Sequence, residues 1–477
     1  MANYCTVKDS KMILYISLLN GSSHGLNIFA TYFDIYGATT RVIQPGEIGD
    51  ETFASHFDSF ADKQVMLLGD GSHGTSEFYH ARAEITKRMI KEHGYTIVAV
   101  EADWPDSEAI DRYVRLRPGT KAQIGGKAKG FEPFKRFPTW MWRNREMQEF
   151  VEWMRDYNST QPPEKRAGFY GLDLYSMGSS IRAVIEYLDR VDPDAGKIAR
   201  TRYGCLERWV EDPSAYGLAA IRGMEDCEPQ VVKMLRDVLA NRLKYIESDP
   251  RDGEEYQSSS QNAFLVRDSE QYYKSMYWSS ATSWTLRDTH MVDTLQRILH
   301  HRPLNKAVVW AHNSHVGDAR FTSMGSRRNE VNIGQLCRER LGRENVAILG
   351  CGTHTGTVAA AREWDEDMEV MSVNPSRKDS WEIVAHNTGV PRFLLDLRQE
   401  HIDPALRAAL ARENRLERFI GVIYRPDTER MSHYSQAQLH RQFDGYIWFD
   451  RTEAVKPLEI IQPVTALGKE ETYPFGL

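Results

Sequence analysis

Several apolar runs of this 477-residue chain end on titratable side chains. One runs into Asp70, Ser72 and His73 (LLGDGSHG), another into Glu101 and Asp103 (VAVEADW), and a third into Asp173 (FYGLD). Two later ones deliver His312 and His315 (VVWAHNSH) and then Thr353 and His354 (GCGTHTG). Imidazoles grouped with carboxylates support proton transfer: a neutral imidazole takes a proton from water, while a nearby carboxylate fixes its tautomer and steadies the imidazolium. The chemistry implied is hydrolysis by activated water. Taken singly, a histidine after a strand is most often a satisfied structural residue. Their conjunction favours one functional rim, because grouped buried charges need partners. Asp70, His73, Glu101, His312 and His315 are the candidate catalytic set, with Asp103, Asp173 and His354 as candidates for substrate contact.

Two rival chemistries use the same residues. Ser72 sits on a strand-to-helix turn, but Asp70-Gly71-Ser72-His73-Gly74 lacks the first glycine of a G-x-S-x-G nucleophile elbow. His312, His315, His73, Asp70 and Glu101 offer enough nitrogen and oxygen for zinc or iron, yet residue 313 is Asn and the helical His-Glu-x-x-His pattern is missing. The expectation is a site without metal or cofactor. Trp142 and Arg143 (FPTWMWRN) read either as a substrate wall or as a buried aromatic cluster. Arg287 (SWTLRDTHM) reads as a clamp facing the crevice or as a partner of Asp288.

These residues must be positioned by strands. Apolar, β-branched-rich runs at Gln64 to Leu68, Thr96 to Val100, Ala167 to Tyr170, Ala307 to Trp310 and Val346 to Leu349 are short and bounded by turn residues, as buried strands are. Further runs stand at Phe393 to Leu395, Gly421 to Tyr424 and Tyr446 to Phe449. Between the first two, Phe78, Ala81, Ile85 and Met89 recur at helical spacing until Gly94. Runs that are apolar throughout suit strands covered on both faces, so the fold class expected is α/β, with a mostly parallel central sheet flanked by helices. In such sheets ligands bind beyond the carboxyl ends of the strands, where the titratable residues collect. Residues 176–300 have helical periodicity and read as a helical insertion forming a lid over the cleft. Residues 1–41 read as an irregular extension and 42–477 as a single domain.

With 41% apolar and 27% charged residues the chain belongs among globular proteins, and its net charge of −7 with no basic stripe argues against a nucleic-acid partner. The apolar run from Met12 to Leu19 is too short to span a bilayer. The expected partner is a small-molecule substrate, with neither nucleic acid nor membrane. Five cysteines, widely separated and in no CxxC pair, argue against a disulfide framework and for a reducing, cytoplasmic setting.

Taken together, GDGSHGTSEFYHARAEITKRMI, VAVEADWPD, FPTWMWRN, GFYGLDLYS, SWTLRDTHM, VVWAHNSHVGDAR, THTGTVAAA, YRPDTERMSHY and QFDGYIWFD resemble the erythromycin esterase-like family from about Val42 to Glu459. The pattern is that of a broad subgroup rather than of the resistance enzymes. The resemblance implies an α/β core with a helical lid over a deep cleft, and hydrolysis of macrolide or other cyclic esters without metal. It also implies that His73, His312 and Glu101 activate water and that Arg82 is the family's arginine of the first helix. One departure stands out: Asp70 occupies a position where the family usually has Glu, one methylene longer. The same rim could instead run a non-hydrolytic retro-aldol, elimination or cyclisation on a polyketide or terpenoid intermediate, or serve as a receptor.

Overall fold

The computed structural model describes residues 29–33, 39–43, 48, 51–117, 133–224, 226–247, 253–302, 304 and 306–459. Twelve strands are assigned among them: β1 (Phe29–Phe33), β2 (Thr39–Ile43), β3 (Val65–Asp70), β4 (Ile97–Asp103), β5 (Gly168–Asp173), β6 (Ala307–His312), β7 (Val346–Ala360), β8 (Glu369–Val373), β9 (Arg392–Asp396), β10 (Arg415–Arg418), β11 (Tyr434–Ala437) and β12 (Gly445–Thr452). Ten of them form one sheet in the order β1-β2-β9-β12-β7-β3-β6-β4-β5, with β8 on the edge of β7, while β10 and β11 pair separately. From β12 to β5 every neighbour is parallel; β9, β2 and β1 extend the sheet antiparallel.

The reason is in the strand sequences. Val65 and Leu67 of β3, with Ile97 and Ala99 of β4, pack on one face, whereas Met66, Leu68, Val98 and Val100 pack on the other. Side chains alternate across a strand, so a run that is apolar throughout needs a cover on each side. One cover includes the helix Ser76–His93, which buries Phe78, Ala81, Ile85 and Met89 and stops at Gly94, whose φ of 71° is left-handed. The other includes helices between β5 and β6, where seven helices run from Met177 to His301 among the described residues.

Three expectations change. Gly421 to Tyr424 is not a strand: Ile423 makes only an isolated bridge to Ala361, and the neighbouring Ile420 bridges Ser72. β1 and β2 fall where an irregular extension is expected, because two β-branched and aromatic stretches pair with each other and reach the sheet at Ile43 opposite Leu394. The run from Met12 to Leu19 lies outside the described residues. Cys205 and Cys227 form a disulfide with Cα atoms 6.0 Å apart, brought together by helix packing that spacing along the chain does not reveal. Cysteine usage therefore no longer argues for a reducing compartment. No helix among the described residues is long and apolar enough to cross a membrane.

Candidate active site

Register places the strand-end residues side by side. Asp70 lies opposite His312 across the β3–β6 pair, and Asp103 opposite Asp173 across β4–β5, after an irregularity that follows Val100. Beyond Asp70 the chain turns sharply and is strapped by Ile420: the His73 amide donates to the Ile420 carbonyl at 3.2 Å, and the Ile420 amide to the Gly71 carbonyl at 2.9 Å. Ser72 turns its hydroxyl to Thr75, so it is hydrogen-bonded away from His73.

The resulting centre is almost closed to solvent, with Asp70, His73, Glu101, His312 and His315 each no more than 4% exposed. His73 stands between two carboxylates, Nδ1 3.5 Å from Asp70 Oδ1 and Nε2 3.9 Å from Glu101 Oε1. Neither separation is a formed hydrogen bond. The second oxygen of Asp70 meets Arg82 Nη1 at 2.5 Å, so this carboxylate touches the guanidinium and stops just short of the imidazole. Burial raises the Asp70 carboxyl, but Arg82 and His73 outweigh it and hold the group below its usual range. Arg82 itself is buried against Tyr79 and Trp310.

Glu101 is the hub. Its Oε2 accepts the His312 backbone amide at 2.9 Å, and its Oε1 accepts Arg287 Nη2 at 2.7 Å with His315 Nε2 3.2 Å away. Burial would raise its pKa, yet His315, His73 and Arg287 hold it well below the usual carboxylate range. It is a permanent anion and no proton acceptor at neutral pH. His315 lies flat against Trp284, ring centroids 4.4 Å apart, and both Asp288 oxygens stand 2.9 Å from its Nδ1. Burial alone would discharge it; Asp288 and Glu101 reverse that and raise it to about 9. The balance favours the imidazolium, with Nδ1 on Asp288 and Nε2 between Glu101 Oε1 at 3.2 Å and Arg287 Nη1 at 3.0 Å. His312 is the opposite case. Burial and the neighbouring His73 push it down to about 3, its ring centroid lies 4.9 Å from that of His73, and its buried Nε2 has no partner.

The other sequence candidates lie around this core. Arg287 spans Asp173 with Nε at 3.0 Å and Nη2 at 2.7 Å while holding Glu101, and its Nη1 lies 3.0 Å from His315 Nε2. Asp173 is lowered accordingly, since burial is outweighed by Arg287. Asp103 is raised by burial, its Oδ2 3.1 Å from Arg136 Nε. Trp142 donates its indole to the Glu101 carbonyl at 3.2 Å, which makes it a brace of the strand end. Arg143 is taken up by Glu459 and the Pro133 carbonyl. His354 joins a different group, stacked on His386 at 3.6 Å and hydrogen-bonded to Ser376, and burial with His386 lowers it to about 4. Ser314, on His312 Nδ1 at 2.8 Å, and Phe419, 5.9 Å from the His312 ring, are site residues no sequence signal singled out. Metal-ligand geometry appears elsewhere among the described residues, at Asp226, Glu228 and Glu270, where Lys274 already sits 2.7 Å from Glu228 and 3.0 Å from Glu270.

A mostly parallel sheet flanked by helices, with histidines and carboxylates gathered at its strand ends, defines an α/β enzyme. The chain belongs to the erythromycin esterase family, whose model matches residues 90–452. That range contains Glu101, His312 and His315; Asp70, His73 and Arg82 precede it and join them through β3. YbfO of Bacillus subtilis, named as a hydrolase, is 21% identical over 84% of this chain and 85% of its own length. Erythromycin esterase type II of Escherichia coli is 22% identical over 63% of this chain and 71% of its own. A solved Bacillus cereus structure superposes with a TM-score of 0.72 at 17% identity, over 87% of this chain and 96% of that one. Family and relatives support a hydrolase.

Proposed function

We propose that the protein hydrolyses an ester or lactone bond of a macrolide-like or other secondary-metabolite substrate, with His73 as general base. The observation that carries this is the juxtaposition of His73 Nε2, the unpartnered His312 Nε2 and the Glu101 carboxylate, with the two imidazole centroids 4.9 Å apart. Asp70 beside Nδ1 favours the tautomer that leaves Nε2 free to accept a proton. A water held there gives its proton to His73 as its oxygen bonds to the substrate carbonyl carbon. Glu101 and Asp70 steady the imidazolium so formed. As the tetrahedral species collapses, the carbon to alkoxy bond breaks and His73 returns the proton to the leaving oxygen. No step asks for a metal: His315 has no free nitrogen, and Asp70 is neutralised by Arg82.

The test is turnover of ester and lactone substrates in oxygen-18 water with chelator present. The product acid should carry one labelled oxygen, and His73→Ala should abolish turnover while substrate still binds. Turnover without label would point to the lyase or isomerase chemistry the same rim could run, and undiminished turnover by His73→Ala would refute the assignment.

A further inference from the structure

Asn313 stands between the two histidines of the turn after β6, and its amide is fixed at three points. Nδ2 donates to the Cys351 carbonyl at 2.7 Å and to Glu417 Oε1 at 3.2 Å, while Oδ1 accepts the Cys351 amide at 3.3 Å. A Cβ on Gly69 would lie 2.2 Å from that Oδ1, so a glycine in β3 is what admits the side chain. Glu417, on β10, is wholly buried, and its other oxygen takes Gln442 Nε2 at 2.5 Å. We propose that Glu417 is a positioning residue, fixing through Asn313 the turn that carries His312 and His315. The inference rests on the reading of that turn as catalytic.

The surroundings of Glu417 suit a neutral acid. Facing it are Asn313, Gln442, Glu382 from the helix Trp381–His386 and Tyr446 from β12. Arg418, its neighbour in β10, turns its guanidinium to Glu429 and to the carbonyls of Asn374, Thr353 and His354. Among the described residues no cation pairs with Glu417. Burial, with Glu382 beside it, pushes its carboxyl well above the usual range. Gln442 bears an independent mark: its buried Oε1 has no donor. Turned over, that amide would present Oε1 to a hydroxyl on Glu417, supplying the hydrogen it lacks. Glu417 then donates to Gln442 and accepts from Asn313 without a buried charge. When the proton is lost as pH rises, the unpaired anion favours opening of this contact to water.

Hydrogen–deuterium exchange of the 312–317 segment, followed by mass spectrometry on the full chain, tests this. Glu417→Leu should exchange there about tenfold faster at pH 7, with β4 and β5 unchanged. Glu417→Gln should match wild type at pH 7 and, as pH rises, lose less protection than wild type, the loss common to both belonging to His315. Unchanged exchange in Glu417→Leu overturns the positioning role, and a Glu417→Gln as labile as the leucine variant overturns the neutral acid. If Glu417→Leu fails to fold, Asn313→Ala replaces it: faster exchange at the turn supports the link, and wild-type exchange overturns it. On an ester that wild type cleaves, Glu417→Leu should lower kcat about tenfold with KM little changed, and Glu417→Gln should restore it. The exchange readout needs no substrate, so failure of the hydrolytic reading leaves this inference separately decided.

Discussion

The charge on His315 makes stability fall as pH rises, and the size of the effect follows from its surroundings. His315 is wholly buried between Asp288 and Glu101, and its pKa rises from 6.5 to about 9 on folding. A group whose folded pKa is raised stabilises fully below its unfolded pKa and loses that contribution as pH climbs through the folded one. Between pH 6.5 and about 9 the native state holds one proton that the unfolded chain has released. Stability therefore falls by about 1.4 kcal/mol per pH unit, or about 3 kcal/mol across the window. Urea denaturation of wild type and His315→Gln at pH 6, 7.5 and 9 measures this. Wild type should lose about 3 kcal/mol over the series and the variant much less of it, although the variant starts lower because Asp288 loses its cation. A wild-type curve flat from pH 6.5 to 9, or an equal slope in both proteins, would refute the buried imidazolium.

Two other substitutions probe the same network. Arg287→Met leaves Asp173 and Glu101 buried without their common cation, and denaturation should show a loss of about 3–5 kcal/mol, the usual consequence of breaking one side of a buried pair. A loss below about 1 kcal/mol, the range of exposed pairs, would mean that the guanidinium is solvated and the pairing is not as described. Asp70→Asn keeps the shape but removes the anion beside Arg82 and His73; on a cleaved ester kcat should fall by about 100-fold or more with KM little changed, and an unchanged kcat would separate Asp70 from the orientation of the base.

Much of the rim was legible because it depends on local rules. A run apolar throughout must be covered on both faces, parallel strands all present their carboxyl ends to one edge, and Asp70, Glu101, Asp173 and His312 stand at those ends. The carboxylate of Asp70 was likewise visible, though not its placement 2.5 Å from Arg82 and 3.5 Å from His73. His354 shows the limit of the rule. It too follows an apolar run, but β7 continues past it to Ala360, and there it stacks on His386.

Partnership was the part no spacing could reveal. Arg287 and Asp288 are adjacent in sequence and invite pairing, yet neighbours on a helix point about 100° apart. The helix Ser280–His301 sends Arg287 to Asp173 and Glu101, and Asp288 to His315. Those pairings decide which groups are charged: His315 and Glu101 as fixed ions, His312 as a neutral imidazole. Sequence by itself determined the parallel core of the sheet, its rim and the kinds of side chain delivered there, because strand periodicity and chain direction are local properties. Only the tertiary structure decided their protonation states, because a buried group takes its charge from partners that folding brings from distant segments.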